Sequence, residues 1–202
     1  LNINNVLALR GDARKFDSKF IPEEGGHSYA VDLVKQISNM NKGIYLDSNI
    51  ENGNKTNFCI GVAGYPEKQY EAPNIETDLK YTKEKIDAGA SYIVTQMFYD
   101  NKKYFDYVDS CRAAGINVPI VPGLKPLTKR YQINSIPRNF YINLPEDFSK
   151  ELLKAKDLSD LKEIGIEWAI HQSQELKAAG VPCLHYYTMG DSDTIVKIIE
   201  KT

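Results

Sequence analysis

Three helix-to-strand junctions of the same form are the feature that most restricts which fold this sequence can adopt. In each, alanine closes a segment of helical spacing, a glycine follows, and an apolar run starts almost at once: Ala88-Gly89-Ala90, Ala114-Gly115-Ile116 and Ala179-Gly180-Val181. A glycine directly after a helix is typical of the left-handed residue that ends many helices. Three copies of one junction indicate a repeated strand and helix unit, as in proteins built around a parallel sheet.

Short apolar runs and segments of helical spacing alternate along the chain. The runs are rich in β-branched and aromatic residues and lack a strict polar alternation, which is typical of strands covered on both faces. We predict strands at residues 6–9, 58–63, 92–98, 118–121 and 183–187. We predict helices at residues 28–40, with Ser28 as N-cap, and at 76–88, 103–114 and 158–179. This order predicts an α/β fold with a parallel sheet.

Two segments carry few apolar side chains or many prolines. Residues 41–57 are rich in Asn, Gly and charged residues and are predicted to form a solvated loop. Residues 126–145 contain several prolines and are predicted to hold short helices over one end of the sheet. Neither segment is typical of a linker between domains.

Composition argues against several classes of function. The 202 residues include 25 Lys and Arg against 27 Asp and Glu, and this net charge of −2 gives no electrostatic basis for binding nucleic acid or an anionic membrane. No apolar run approaches the roughly 18 residues that a membrane span needs. Three widely spaced cysteines and the absence of an export signal at the first residues predict a cytoplasmic protein without a disulfide framework.

Common metal and phosphate motifs do not occur in the sequence. His27, His171 and His185 are isolated, and no Cys or His pair has the spacing of metal ligands, so we predict no metal site. A G-x-G-x-x-G fingerprint, a Walker-type loop and a G-x-S-x-G nucleophile elbow are also missing. A dinucleotide, if bound, is therefore not held by a Rossmann-type glycine loop.

Polar and aromatic residues follow the predicted strands, where βα proteins carry their active sites. The first run ends in Arg10-Gly11-Asp12, the second in Tyr65-Pro66-Glu67, and the fourth in Pro122-Gly123. The third run contains Gln96, and the fifth ends in His185-Tyr186-Tyr187. The carboxyl ends of parallel strands lie on one edge of a sheet, so we expect these residues to share one rim.

Each candidate also has a purely structural interpretation. Asp12 could cap a turn, and Arg10 could form a surface ion pair instead of binding phosphate. Gln96 lies among apolar residues, where a buried amide needs hydrogen-bond partners from a ligand or from the protein. Lys85 follows Asp78 by two helical turns, and the two could belong to a solvated charged face.

Seven short segments, taken in order, resemble those of one enzyme family. They are Leu9-Arg10-Gly11-Asp12, Tyr29-Ala30-Val31-Asp32-Leu33, Val62-Ala63-Gly64-Tyr65-Pro66-Glu67, Asp87-Ala88-Gly89-Ala90, Thr95-Gln96-Met97-Phe98-Tyr99-Asp100, Pro122-Gly123 and His185-Tyr186-Tyr187-Thr188. No single segment is specific for the family. Seven segments in the family's order, over about residues 6–189, are specific. The chain resembles methylenetetrahydrofolate reductase of the bacterial, FAD-dependent type.

The resemblance implies a fold and an activity. That family folds as an eight-stranded βα barrel of the TIM type, with FAD lying across the carboxyl ends of the strands. The implied reaction reduces 5,10-methylenetetrahydrofolate to 5-methyltetrahydrofolate, with hydride passing from NADH or NADPH to FAD and then to folate in a ping-pong scheme. The expected partner is this small-molecule substrate, and we expect a homo-oligomer that binds neither nucleic acid nor membrane.

The resemblance also implies roles for particular residues. The positions matching catalytic ones are Asp12 and Gln96. The positions matching cofactor-binding ones are Arg10, Gly11, Asp12, Tyr29, Ala30, Tyr65, Ala72, Asp78 and Lys85. The positions matching substrate-binding ones are Asp12, Gln96, Gln132 and Tyr187. A carboxylate such as Asp12 beside the flavin disfavours extra negative charge on the reduced ring and favours a cationic folate. Arg10 and Lys85 would offset the charge of the FAD pyrophosphate.

Three positions and the length depart from the family pattern. Gln69 stands where many bacterial relatives have His, Asp191 where a substrate-facing Arg is found, and Ile136 where a Phe stacks near the substrates. A closed eight-stranded barrel takes about 250 residues. We therefore expect residues 1–202 to form a single FAD-binding reductase barrel domain with five of the eight βα units. The three amino-terminal units, which carry the family's proposed general-acid glutamate, are expected to be missing.

Two other functions remain open at this point. The chain could be a truncated, noncatalytic fragment that binds flavin or folate weakly, or that acts only within a larger assembly. A βα-barrel lyase with a Schiff-base lysine has less support, because no lysine lies within a predicted strand core and Lys125 is the nearest.

Overall fold

The computed structural model describes residues 3–13, 20–51 and 53–202. The helices in these ranges are α1 (Ala30–Met40), α2 (Ile75–Asp87), α3 (Asn101–Ala113), α4 (Gln132–Phe140), α5 (Glu146–Lys154), α6 (Leu158–Ala178) and α7 (Ser192–Ile199). The strands are β1 (Asn5–Ala8), β2 (Cys59–Gly64), β3 (Tyr92–Thr95), β4 (Ile120–Val121), β5 (Gly123–Leu124) and β6 (His185–Tyr186). The alternation of strands and helices confirms the predicted α/β class.

The strands form two parallel sheets that meet at Pro122. The larger has the order β1-β2-β3-β4, and β5 pairs with β6 in the smaller. Each of the pairings is parallel. Pro122 separates β4 from β5, since proline has no amide to donate to a ladder. The Gly123 amide instead donates to the Thr95 hydroxyl oxygen at 2.9 Å, which keeps β5 beside the end of β3.

The three helix-ending glycines have the predicted left-handed backbone. Their φ angles are 119° at Gly89, 75° at Gly115 and 77° at Gly180. At each of these junctions the chain leaves the helix and turns toward the next strand within a few residues. The repeated unit predicted from the sequence is confirmed here.

The predicted elements are confirmed in position and corrected at their ends. The third strand ends at Thr95 instead of residue 98, and the Gln96 side-chain oxygen accepts the Met97 amide at 3.0 Å, outside the ladder. The prediction of Ser28 as N-cap is wrong: Tyr29 occupies that position, and no side chain caps α1. The predicted loop holds no helix or strand in residues 41–51 and 53–57. Helices α5 and α7 lie outside the predicted helices.

Two apolar clusters hold the chain together. The first lies between the sheets and the helices packed against one face, with Val34, Ile93 and Leu124 fully buried. The second lies at the carboxyl end of the strands, where Phe148 and Leu152 of α5 pack with Leu127 and the strand-end residues Met97 and Tyr99. The prediction of short helices in residues 126–145 is confirmed by α4, and with α5 it covers this end.

The face of the larger sheet that points away from the first cluster is partly uncovered. Val6 and Ala8 of β1 pack into that cluster, whereas the alternating Leu7 and Leu9 are 39% and 50% exposed. Cys59 of β2 is exposed as well. In the described ranges, therefore, apolar side chains of a parallel strand lie open to solvent. The same ranges hold no helix long and apolar enough to cross a bilayer.

Candidate functional site

The end of β1 places one cation and one free carboxylate at the rim. An Arg10 Nη2 lies 2.5 Å from Glu71 Oε2, and its guanidinium carbon lies 5.3 Å from the centroid of the Phe20 ring. Gly11 and Asp12 are exposed. Among the described residues Asp12 has no hydrogen bond or ion pair.

Tyr65, which follows β2, shows that the strand ends meet. Burial raises the pKa of Tyr65 to about 12, and the charges of Asp78, Arg10, Asp12 and Tyr187 also act on its phenol. Such influence places each of these groups within about a Debye length of the Tyr65 phenol, because charge interactions decay over that distance. The ends of β1, β2 and β6 therefore share one rim, as the strand-end pattern predicts.

Gln96 joins the same rim through its backbone. Its amide donates to the Gly64 carbonyl at 2.8 Å, next to Tyr65, and its side-chain oxygen accepts the Met97 amide. The side-chain nitrogen has no hydrogen bond among the described residues. The side-chain amide of Gln96 is thus fixed through its oxygen, and its NH₂ group remains available as a hydrogen-bond donor.

Tyr187 is fixed between two neighbouring strands. Its hydroxyl donates to the Thr95 carbonyl at 2.9 Å, and its ring meets the edge of His185 at 4.8 Å. A Cβ placed at Gly123 would come within 2.8 Å of the Tyr187 ring, so the glycine is what allows this close packing. Burial lowers the pKa of His185 below its usual value.

Gln132 begins α4 and holds the turn before it. Its side-chain oxygen accepts the amides of Thr128 and Lys129, each at 2.9 Å, and the residue is buried. These two hydrogen bonds explain the position of the Gln132 side chain without a ligand. Its role toward substrate stays a prediction.

The remaining cofactor candidates divide between surface and interior. Tyr29 is 63% exposed at the start of α1, next to Ala30. Ala72 is buried, and its carbonyl accepts the Lys68 ammonium at 2.6 Å. Lys68 has a left-handed φ of 79°, which turns the chain sharply after Glu67.

Asp78 and Lys85 lie on the inner side of α2. Asp78 is buried and accepts the Gln69 amide at 3.0 Å, and its pKa is raised because burial outweighs that bond and nearby Lys85 and Lys68. The Lys85 ammonium donates to the Ala63 carbonyl at 2.7 Å. Burial lowers the pKa of Lys85 to about 8, against a smaller opposite effect of Asp78. The interpretation of this pair as a solvated charged face is wrong, since Asp78 is buried and the Lys85 ammonium is held by a strand carbonyl.

The three departures from the family pattern have structural roles. Gln69 accepts the amides of Glu71 and Ala72 at 2.6 and 3.1 Å. Asp191 caps α7 and lies 3.4 Å from the Lys162 ammonium. Ile136 is 2% exposed in the second cluster, so this side chain does not face the rim's solvent.

Two acidic residues of the β2–α2 connection belong to the site as well. Glu67 accepts the backbone and side-chain amides of Asn143, at 3.1 and 2.9 Å, and its other oxygen is buried without a partner. Burial raises the pKa of Glu67. Glu71 pairs with Arg10. The sequence marks Glu67 by its place in the Tyr-Pro-Glu segment, but no local pattern marks Glu71.

A small cavity of about 60 Å³, lined in part by Tyr65, Pro66 and Asp78, adjoins this site, and a larger groove lies elsewhere. A groove of about 440 Å³ lies at the opposite end of β4, lined in part by Arg112, Pro119 and Val181. The Arg112 guanidinium donates there to the Ile116 and Val118 carbonyls, so its charge serves the turn after α3. No group of three or more His, Cys, Asp or Glu in residues 3–13, 20–51 and 53–202 is placed to hold a metal ion.

Comparison with known proteins gives a family. The family model of methylenetetrahydrofolate reductase matches residues 1–202. The chain belongs to the methylenetetrahydrofolate reductase family. This membership confirms the resemblance inferred from the seven segments.

The relatives of this family member are longer than the chain. Methylenetetrahydrofolate reductase 2 of Saccharomyces cerevisiae is 40% identical over 201 residues, covering 98% of this chain and 31% of the relative. The 5,10-methylenetetrahydrofolate reductase of Buchnera aphidicola is 29% identical over 198 residues, covering 97% of this chain and 60% of the relative. The chain thus spans about a third of the yeast enzyme and under two thirds of the bacterial one.

A solved structure shows only a distant likeness. It is an uncharacterized protein from Clostridium thermocellum that binds two copies of 5-methyl-5,6,7,8-tetrahydrofolic acid. It aligns with a TM-score of 0.48 and 16% identity, over 72% of this chain and 52% of that chain. A likeness at this level carries no argument about fold or ligand.

Proposed function

We propose that this chain contributes five βα units to the barrel of a flavin-dependent reductase that converts 5,10-methylenetetrahydrofolate to 5-methyltetrahydrofolate, with NADH or NADPH as electron donor. The proposal is supported by the strand ends around Tyr65: Gln96 bonds to Gly64 next to it, Tyr187 bonds to Thr95, and the charges of Arg10 and Asp12 act on its phenol. Membership of the family over residues 1–202 supports it. We further propose that residues 1–202 form one domain, with five of the eight βα units of a TIM barrel, in a cytoplasmic homo-oligomer.

Of the two cations predicted to bind the FAD pyrophosphate, Arg10 is placed to do so and Lys85 is not. Arg10 supplies a cation at the mouth of the strands, and exposed Gly11 beside it lets a ligand approach the backbone. Lys85, by contrast, is turned to the Ala63 carbonyl beneath β2. FAD, when bound, would supply a reversible hydride acceptor between the nicotinamide and folate. In the proposed site Arg10 binds its pyrophosphate, whereas Lys85 contributes only after a change of side-chain position.

Asp12 is proposed to tune and orient the reacting groups. Its carboxylate is exposed and has no hydrogen bond or ion pair among the described residues, so it is open to whatever ligand lies above the rim. A fixed negative charge disfavours further negative charge nearby and stabilises a cationic substrate. Asp12 would therefore favour hydride release toward folate and the positively charged form of folate that accepts it.

The two glutamines are proposed to act as donors toward the pterin. The side-chain oxygens of Gln96 and Gln132 are both held by backbone amides. The free ends are therefore their NH₂ groups, which suit the ring nitrogen and carbonyl acceptors of a pterin. Tyr187, anchored on Thr95, would pack beside the same ring. Tyr29, Ala30, Tyr65, Ala72 and Asp78 are proposed as further cofactor-binding positions.

A second candidate is that the 202 residues bind flavin or folate only weakly and act within a larger assembly. The exposure of Leu7, Leu9 and Cys59 favours it, because a parallel sheet with one open apolar face is poorly suited to water. The two candidates differ in one measurable property, which is flavin retention by these residues alone against the complete encoded protein.

Flavin absorbance and folate-dependent oxidation of NADH by the complete encoded protein test the proposal. Asp12→Asn should retain flavin and lower folate reduction about a hundredfold, since it removes charge at the reacting centre. Asp193→Asn, an exposed acid on α7, is the matched control and should leave both unchanged. Absence of flavin from the complete protein, or full activity of Asp12→Asn, contradicts the proposal.

A further inference from the structure

The cation at the rim is already paired with an acid of the neighbouring connection. The Arg10 guanidinium lies 2.5 Å from Glu71 Oε2. The other carboxylate oxygen, Oε1, accepts the Tyr70 hydroxyl at 3.0 Å. The Gln69 side-chain nitrogen adds a longer contact of 3.4 Å to Oε2. Three donors thus surround the carboxylate, and its pKa is lowered by them and by the Arg10 charge, against an opposing effect of burial.

The ion pair between Arg10 and Glu71 is held in place by the turn that carries Glu71. The Glu71 amide donates to the Gln69 side-chain oxygen at 2.6 Å, and Tyr70 stacks on Tyr141 with ring centroids 5.0 Å apart. The turn therefore positions Glu71 over Arg10 before any ligand arrives. The side chains of Arg10 and Glu71 are 21% and 35% exposed, so a ligand can reach the pair without unfolding the turn.

We infer that Glu71 is an internal counter-ion that competes with an anionic ligand for Arg10. The inference rests on the proposed function, because it takes the ligand of Arg10 to be the pyrophosphate of a flavin dinucleotide. With Glu71 in place, the cation has no uncompensated charge for a neutral or weakly charged ligand. A pyrophosphate carries enough negative charge to displace the carboxylate, and its oxygens take over the guanidinium donors.

Glu71 thereby selects ligands by charge. Removing its charge should strengthen binding of any phosphate-bearing ligand, most for pyrophosphate groups and not at all for riboflavin, which carries no phosphate. A merely structural role in the turn would change binding of all flavins alike. Because the competition is electrostatic, the gain should shrink as the salt concentration rises.

The experiment compares Glu71→Gln with the unaltered complete protein by titration calorimetry. The ligands are FAD, riboflavin and inorganic pyrophosphate, at low and high salt. Glu71→Gln should bind FAD and pyrophosphate about fivefold more tightly at low salt, the gain expected from releasing a partly exposed ion pair. Arg10→Gln should weaken both, and in Arg10→Gln/Glu71→Gln the benefit of the second change should vanish. Glu163→Gln, an exposed acid on α6, is the matched control.

The outcomes separate this inference from the proposed function. If the unaltered protein binds FAD and Glu71→Gln binds it no more tightly, the counter-ion inference is wrong and the proposed function stands. An equal gain for riboflavin also overturns the inference. If no variant binds FAD, the proposed function fails, and pyrophosphate alone then decides the inference: tighter binding by Glu71→Gln supports it, and unchanged binding refutes it.

Discussion

Replacing Lys85 by methionine should change how the stability of the protein depends on pH. The Lys85 ammonium is buried against the Ala63 carbonyl, and burial lowers its pKa from 10.5 to about 8. Between these pH values the unfolded chain binds a proton that the folded chain does not, so the free energy of unfolding rises with pH. One pH unit in this window corresponds to about 1.4 kcal/mol, and from pH 8 to pH 10 the rise is about 2 kcal/mol. Lys85→Met should lose that rise.

Urea unfolding followed by the fluorescence of Trp168, the single tryptophan, measures this effect. Trp168 stacks on Phe148 at 4.4 Å inside the second cluster, so its emission reports loss of packing. Only the difference between the two proteins is interpreted, because the buried tyrosines titrate in both. Lys80→Met, an exposed lysine on the same helix, should behave as the unaltered protein. Equal pH dependence in Lys85→Met and the unaltered protein would refute the burial of this ammonium.

Two further substitutions test the packing at the rim. Gly165→Ala would place a Cβ 1.8 Å from the Leu127 carbonyl oxygen, so α6 must shift. Overpacking should cost about 3 kcal/mol, and the higher helix propensity of alanine should return about 1 kcal/mol. We therefore expect the free energy of unfolding to fall by about 2 kcal/mol. A urea midpoint lowered by about 1 M is expected, and an unchanged midpoint contradicts the contact. Tyr187→Phe loses the hydrogen bond to the Thr95 carbonyl and should cost about 1 kcal/mol in the same assay, with weaker folate binding by the complete protein. Unaltered stability would mean that the hydroxyl is equally well satisfied by water.

The elements that could be predicted are those whose signal is local. A glycine that ends a helix needs a left-handed backbone, and Gly89, Gly115 and Gly180 all have it. The parallel sheet follows from the same repetition. Strand ends were less predictable because they depend on partners distant in sequence, as when the Gly123 amide donates to the Thr95 hydroxyl oxygen at the end of β3.

The sequence allowed us to predict which residues lie at the rim, but not which of them pair with one another. That Arg10, Asp12 and Tyr187 all lie near Tyr65 follows from strand direction alone. That Arg10 pairs with Glu71 does not, because 61 residues separate them and nothing near Glu71 in sequence distinguishes it from other acids. The ion-pair alternative for Arg10 is confirmed in its geometry, and phosphate binding by the same residue stays a proposal.

Three cations of the described residues near the proposed cofactor site are engaged by the protein itself. Arg10 is paired with Glu71, the Lys68 ammonium is held by the Ala72 carbonyl, and Lys85 is held by the Ala63 carbonyl. A dianionic ligand would therefore have to exchange protein contacts for its own, and the exposed Arg10–Glu71 pair is the least costly of the three to open. Breaking the buried contact of Lys85 would leave a strand carbonyl unpaired, at a cost of about 1 to 3 kcal/mol. Ligand entry should accordingly begin at Arg10, with any contribution from Lys85 following only after its ammonium has left the Ala63 carbonyl.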